Sequence, residues 1–129
     1  MKGNPAAAFL VLRLGLAFVF IWFGISQLAN PADWTSFLPE WAASLPFSAE
    51  AFVQMNAWFE IVFAALLVLG LWTRLAALLL GLHLVGIALA IGYNSVAIRD
   101  IGLAAACFAL ALGGAGRFAI DARHARVAE

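Results

Sequence analysis

Residues 56–72, NAWFEIVFAALLVLGLW, determine which kind of fold this chain can adopt. They form a long apolar run that holds one carboxylic acid, Glu60, near its start. Such a run is typical of a helix that crosses a membrane, because lipid offers backbone N–H and C=O groups no partners outside the helix. A carboxylate on such a helix is costly to expose to lipid. We therefore expect Glu60 to face other helices or a polar cavity.

The composition of the whole chain is also that of a membrane protein. Of the 129 residues, 66% are hydrophobic and 11% are charged, whereas soluble domains are about half apolar and about a quarter charged. The formal net charge of +0, without a basic cluster, argues against a nucleic-acid partner. The single cysteine, Cys107, excludes an internal disulfide and is expected to be a small packing residue.

Four apolar segments are long enough to span a membrane at about 20 residues each. They cover residues 6–28, 51–72, 75–93 and 96–112, with short turns expected at Thr73-Arg74 and Asn94-Ser95. Turns this short join antiparallel neighbours. We predict an all-α fold with a single domain, 1–129, built as an antiparallel four-transmembrane-helix bundle. Residues 117–129 are expected to form a polar tail, in which His124 is expected to be solvated.

Residues 30–50 interrupt the apolar pattern with three prolines and three acidic residues. The spacing of Trp34, Phe37 and Trp41 suits one face of a short helix. Tryptophan favours the membrane interface because its ring is apolar while its indole N–H needs a polar partner. We predict a short amphipathic segment in the first outer loop, with Trp34 and Trp41 as interface anchors. An ordinary ordered loop is the alternative.

The placement of lysine and arginine predicts the orientation in the membrane. Only Arg99 falls on the side of the acidic loop, and all other basic residues fall on the opposite side: Lys2, Arg13, Arg74, Arg117, Arg123 and Arg126. We therefore predict that both termini are cytoplasmic and that the tryptophan-rich loop lies outside.

Polar and small residues share one face of the first span: Arg13, Ala17, Phe20, Gly24 and Gln27. Because they recur at spacings of three and four, we expect this stripe to face the bundle. Arg13 is expected to extend its charged group to the cytoplasmic surface.

At about 1.5 Å of rise per residue, several polar side chains fall in the middle or outer half of the membrane. The candidates for ligand binding or proton handling are Glu60, His83, Arg99, Asp100, Asn56 and Gln27. We expect them to line a polar pocket that opens toward Trp34 and Trp41. Arg99 is expected to point inward and pair with Glu60.

Three hypotheses explain this set. In the first, Glu60 and Arg99 form a pair whose sole role is structural, namely to fix the register of the helices. The set could bind a polar head group such as a quinone ring, because ionisable groups inside a membrane are functional candidates by default. It could also form a proton or ion path. His83 has no second histidine or cysteine at metal-ligand spacing, so no metal site is predicted. Catalytic residues stay unassigned.

Several stretches resemble the DoxX family of small four-helix membrane proteins. They are RLGLAFVFIWFG at 13–24, Glu60 with the leucine-rich run that ends in LGLWTR at 69–74, and GRFAID at 116–121. The last is similar to the family's Gly-Arg-x-x-x-Asp ending. The family often has a lysine at the position of Gln27. The resemblance implies a four-helix bundle in the bacterial cytoplasmic (inner) membrane.

The resemblance also implies association with redox systems, since one relative is a membrane subunit of a thiosulfate:quinone oxidoreductase and another works with oxidative-stress proteins. A related membrane group includes assembly and cargo helpers. We predict a membrane subunit that binds a quinone-like or lipid ligand for a redox partner, with quinone as the candidate cofactor. The alternatives are a non-enzymatic scaffold or assembly factor, or a small-solute or proton transporter. Whether the chain is itself an enzyme stays open. A homo-oligomer or a partner protein is expected, because Gly81, Gly86 and Ala90 permit close helix approach.

Overall fold

The computed structural model describes residues 2–123, which form helices joined by short connections. The long helices are α1 (Pro5–Ala29), α2 (Ala49–Leu69), α3 (Thr73–Ile91) and α4 (Ser95–Gly113). Each of these four is long and apolar enough to cross a membrane. The predicted all-α bundle of four transmembrane helices is therefore confirmed. The observed bounds differ from the predicted spans by one to three residues.

The turn between α2 and α3 lies at residues 70–72 and not at Thr73-Arg74 as predicted. Gly70 ends α2 with a φ of 68°, and its N–H donates to the carbonyls of Leu66 and Leu67. Glycine suits this position because a left-handed backbone places no Cβ in conflict with the preceding turn. Thr73 and Arg74 consequently form the start of α3.

The four helices are arranged in a ring. α1 packs along α2 and α3 packs along α4, and sparser contacts from α2 to α3 and from α1 to α4 complete it. Many of the buried side chains at its centre are small, which lets the helices lie close together. Cys107 is fully buried among them, so its expected packing role is confirmed. The core consists of Leu16, Ala17, Phe20, Ala64, Leu67, Ala76, Ala77, Leu80, Leu84, Ala104, Cys107 and Leu110.

The predicted polar stripe of α1 faces the bundle. All five of its residues are buried, as predicted: Arg13, Ala17, Phe20, Gly24 and Gln27. Gly24 marks a close approach to α2, since an added Cβ would collide with Ile61 and lie 3.1 Å from the Ala57 carbonyl oxygen. Gly81 of α3 likewise faces Phe108 of α4. These two glycines therefore serve contacts within the bundle.

The loop between α1 and α2 covers one end of the bundle, which we call the loop end. It contains two 3-10 helices, Pro31–Phe37 and Glu40–Ser44, and not the single short helix that was predicted. Leu38 and Pro39 have extended backbones and separate the two. Trp34 packs edge-on against Phe23 of α1, with ring centroids 5.7 Å apart. Trp41 packs in the same way against Phe52 of α2, at 6.0 Å.

The opposite end holds the first residues of α1 and the chain after α4, and we call it the terminal end. Here residues 117–123, the first part of the predicted polar tail, dock on the α2–α3 turn, a contact that was not predicted. The Asp121 carboxylate accepts hydrogen bonds from the N–H groups of Trp72 and Thr73, both at 2.8 Å. The Asp121 N–H donates to the Gly70 carbonyl at 2.9 Å. The rest of the predicted tail, 124–129 with His124, lies outside the described residues.

Candidate functional site

A cavity of about 520 Å³ lies between the four helices toward the loop end. This volume falls in the range of about 300–1,000 Å³ that is usual for ligand pockets. Its walls are mainly apolar, with contributions from every helix and from the loop. All six polar candidates and both tryptophans line it: Gln27, Asn56, Glu60, His83, Arg99, Asp100, Trp34 and Trp41.

Glu60 is buried at the centre of a network of side-chain amides. Its Oε2 accepts a hydrogen bond from Gln27 Nε2, and its Oε1 accepts one from Asn56 Nδ2, both at 3.2 Å. Asn56 Nδ2 also lies 2.7 Å from Gln27 Oε1. The spacing of four residues stacks Asn56 over Glu60 on α2, and the close approach at Gly24 brings Gln27 of α1 within reach. The network therefore joins α1 to α2 and supplies donors to the carboxylate.

His83 of α3 completes this part of the cavity. Its Nε2 lies 3.5 Å from Glu60 Oε1, and its ring packs against the Phe59 ring with centroids 4.7 Å apart. Although this nitrogen is buried, it has no aligned hydrogen-bond partner within residues 2–123. Buried polar atoms without partners are rare, because losing water without a replacement hydrogen bond costs free energy. His83 is thus a polar group in the cavity wall with unused hydrogen-bonding capacity.

Arg99 does not pair with Glu60, so that prediction is wrong. Its guanidinium contacts the adjacent Asp100, with Nη2 3.0 Å from Oδ1, and lies over the Phe23 ring at 5.2 Å from the centroid. The physical reason is competition: Gln27 already donates to Glu60, while Asp100 offers Arg99 a nearer carboxylate on its own helix. Asp100 is 4% exposed, whereas half of the Arg99 side chain is exposed.

Arg13 is likewise placed differently from the prediction, since it is 2% exposed and does not extend to the surface. Its Nη1 donates to the carbonyl oxygens of Leu67 and Val68, at 2.6 Å and 2.7 Å. The last carbonyls of a helix lack partners within the helix and carry partial negative charge, which a guanidinium satisfies well. Arg13 therefore stabilises the terminal end of α2 and lies outside the cavity.

Three residues with clear roles were not among the predicted ones. Phe23 and Phe59 support Arg99 and His83 with their rings. In the sequence, their roles could have been inferred only from their positions relative to polar candidates: Phe23 stands four residues before Gln27, and Phe59 stands next to Glu60. Asp121 was noted only as the end of a motif, and its contact with the α2–α3 turn has no signature in local sequence.

Over the range 2–123, no three side chains of histidine, cysteine, aspartate or glutamate come together in a geometry that could hold a metal ion. The cavity contains two carboxylates, each with its own donors: Glu60 with the amides of Gln27 and Asn56, and Asp100 with Arg99.

Comparison with protein families gives one match. The model of the DoxX family matches residues 8–93, a segment that runs from α1 through the end of α3 and includes Gln27, Asn56, Glu60 and His83. Neither the curated proteins nor the solved structures contain a match to the chain. Because the matched segment covers more than half of the 129 residues and the structure has four apolar helices of membrane-spanning length, this chain is a multi-pass integral membrane protein that belongs to the DoxX family.

Proposed function

We propose that this DoxX-family protein binds a quinone-like ligand in its cavity. It would act as the membrane subunit of a complex with a redox partner protein. One observation carries the proposal: polar side chains from all four helices line a single cavity whose walls are otherwise apolar. A membrane quinone matches this arrangement, because its ring has two hydrogen-bonding oxygens and its remaining surface is apolar. Ligand pockets commonly combine apolar walls with a few convergent polar groups.

In this proposal, His83 and Glu60 contact the head group of the ligand. His83 Nε2 lacks an aligned partner among the described residues and would hydrogen-bond to a quinone oxygen. Reduction of the ring to a hydroquinone adds two electrons and two protons. The redox partner would supply the electrons, and Glu60, 3.5 Å from His83, would hold and pass protons to the histidine. Arg99 stabilises Asp100 and has no direct part in this step.

Native mass spectrometry of protein purified gently from its own membranes tests the proposal. We expect a bound mass in the quinone range that is lost in Glu60→Gln. Glu50→Gln is the matched control, since it makes the same chemical change on an exposed position of α2 outside the cavity. A ligand-free wild-type protein that also fails to bind added ubiquinone would refute the proposal. A bound phospholipid in place of a quinone would assign the cavity to a lipid ligand and would also refute it.

A second candidate function is a non-enzymatic scaffold or assembly factor. The observation in its favour is that Glu60 already accepts hydrogen bonds from both Gln27 and Asn56, which would be enough to fix the register of α1 and α2. Buried polar networks can specify an arrangement without adding function. The same purification distinguishes the two: a scaffold would carry a second polypeptide and no ligand, and Glu60→Gln would leave that partner bound.

We further propose that the protein resides in the bacterial inner membrane with its terminal end in the cytoplasm. The support is the distribution of basic residues, since Arg74 and Arg117 lie at the terminal end while residues 30–50, which include Asp33, Glu40 and Glu50, contain none. Reporter fusions test this. Alkaline phosphatase inserted at Ser44 should be active, and fluorescent protein fused after Glu129 should be fluorescent. The reverse pattern would overturn the orientation.

A further inference from the structure

The cavity is more open on one side than on the others, and this open side lies next to His83. Its ring packs against Phe59, so this face of α3 points toward α2. Gly86 and Ala90 stand three and seven residues further along α3, on the same face. Both are exposed and both line the cavity. Among the described residues, nothing lies within 4 Å of a Cβ placed on Gly86. α2 and α3 therefore leave a gap between them on the loop-end side of His83.

The other borders of the cavity carry larger side chains. Between α1 and α4, the Arg99 guanidinium lies over the Phe23 ring and bridges the two helices. At the loop end, Trp34 packs on Phe23 and Trp41 packs on Phe52. Along α3 the gap is bordered by the small residues Gly86 and Ala90, while the larger Ile87 and Ile91 line the cavity beside them. This face of the helix is among those that lipid would surround in a membrane.

We propose that the ligand enters the cavity sideways from the lipid, through the gap bordered by Gly86 and Ala90, and that its apolar tail stays in this gap. The inference rests on the proposed binding function and extends it by naming the route and the ligand class. The ligand is a membrane-dissolved amphiphile with a compact polar head and a long isoprenoid tail. A cavity of about 520 Å³ holds a head group of drug size, so a tail of tens of carbons extends beyond it.

If the tail lies in the gap, blocking the gap should weaken the binding of long-tailed ligands and leave the binding of a tail-free head group unchanged. The decisive variant is Gly86→Phe, which places a ring in the gap. Gly102→Phe is the matched control, because Gly102 is an exposed glycine of α4 outside the cavity and a Cβ there also meets no described atom within 4 Å. The probes are ubiquinone-10 and tail-free 2,3-dimethoxy-5-methyl-1,4-benzoquinone, each titrated into detergent-purified protein while intrinsic tryptophan fluorescence is measured.

We expect Gly86→Phe to weaken binding of ubiquinone-10 by about tenfold or more, a change well above titration error, while its affinity for the tail-free quinone matches that of the wild type. Retained binding of the tail-free probe also shows that the variant is folded. If Gly86→Phe loses both probes, the gentler Ala90→Leu decides the question, because it narrows the same gap with a flexible side chain. Equal weakening of both probes in Ala90→Leu would overturn the route.

Failure of the route and failure of the proposed function give different results. If the wild-type protein binds neither quinone, the cavity is not a quinone site and the proposed function itself is wrong. If the wild type binds both quinones and Gly86→Phe binds ubiquinone-10 as tightly as Gly102→Phe does, the site stands and the lateral route is overturned.

Discussion

The guanidinium of Arg13 on α1 donates a hydrogen bond of 2.6 Å to the carbonyl oxygen of Leu67 on α2. Together with the bond to Val68, it supplies a charged donor to carbonyls in the last turn of α2, where few backbone N–H groups remain as partners. A charge buried inside a membrane protein is thus used to hold two neighbouring helices together.

Arg13→Ala should lower the free energy of unfolding by about 2–4 kcal/mol, because it removes two charge-assisted hydrogen bonds and leaves a void. Unfolding of the detergent-purified protein in dodecyl sulfate, followed by circular dichroism, measures this. Arg117→Ala is the control, since Arg117 is exposed and its guanidinium contacts only the Phe118 ring among described aromatic side chains. Equal stability of the two variants would show that the Arg13 hydrogen bonds contribute nothing.

Asp121→Ala should destabilise the terminal end by about 1–2 kcal/mol, since the N–H groups of Trp72 and Thr73 lose their acceptor. Trp72 has a φ of 49°, which is unfavourable for a non-glycine residue and depends on such support. Limited proteolysis should then cut the α2–α3 turn faster. Asp33→Ala, at an exposed carboxylate in the first 3-10 helix, should leave the rate unchanged, and the same rate in both variants would contradict the role of Asp121.

Gly24→Ala should destabilise the contact between α1 and α2 by about 1–3 kcal/mol, because the new methyl group has no room beside Ile61 and the Ala57 carbonyl. Gly15→Ala is the matched change on the same helix, where the described structure leaves a Cβ in open space. It should be neutral or stabilising by up to about 1 kcal/mol through helix propensity. Thermal unfolding of both variants measures the difference, and a Gly24→Ala protein as stable as Gly15→Ala would refute the close approach.

Glu60 and Gln27 should be coupled, whereas Glu60 and Arg99 should not. A double-mutant cycle of Glu60→Ala with Gln27→Ala should give a coupling free energy of about 0.5–3 kcal/mol, as expected for side chains in one hydrogen-bond network. The parallel cycle with Arg99→Ala should give a value near zero, because Arg99 contacts Asp100 instead. The reverse ranking in unfolding measurements would restore a Glu60–Arg99 pair.

Much of the fold follows from patterns along single helices. The stripe from Arg13 to Gln27 could be predicted because residues three and four apart share a helix face, and the same rule placed Asn56 beside Glu60. Depth in the membrane follows in the same way from the rise per residue. These arguments brought the polar candidates to one end of the bundle, although whether they bind a ligand stays a prediction.

Contacts between distant segments could not be predicted in the same way. Backbone carbonyls bind Arg13, and a carbonyl has no signature in the sequence. For Arg99, the carboxylates of Glu60 and Asp100 were both possible partners, and the choice depended on which of them already had donors. Asp121 docks on a turn about fifty residues earlier in the chain. Helix periodicity cannot predict this contact, because it relates only residues that are close together in the sequence.

Polar contacts between α1 and α2 bear on how the chain enters its membrane. Arg13 near one end of α1 finds its acceptors on α2, and Glu60 of α2 finds a donor in Gln27 near the other end of α1. A lone helix that carried a charge at its centre would enter lipid at a cost of about 2.5–3.5 kcal/mol on insertion scales, and a charge nearer its end would add a smaller cost. Each of the two helices therefore supplies the hydrogen-bond partners that the charged group on the other helix would otherwise lack in lipid. The first helical hairpin should leave the insertion machinery as a pair, and separate release of α1 should be slow until α2 has been synthesised.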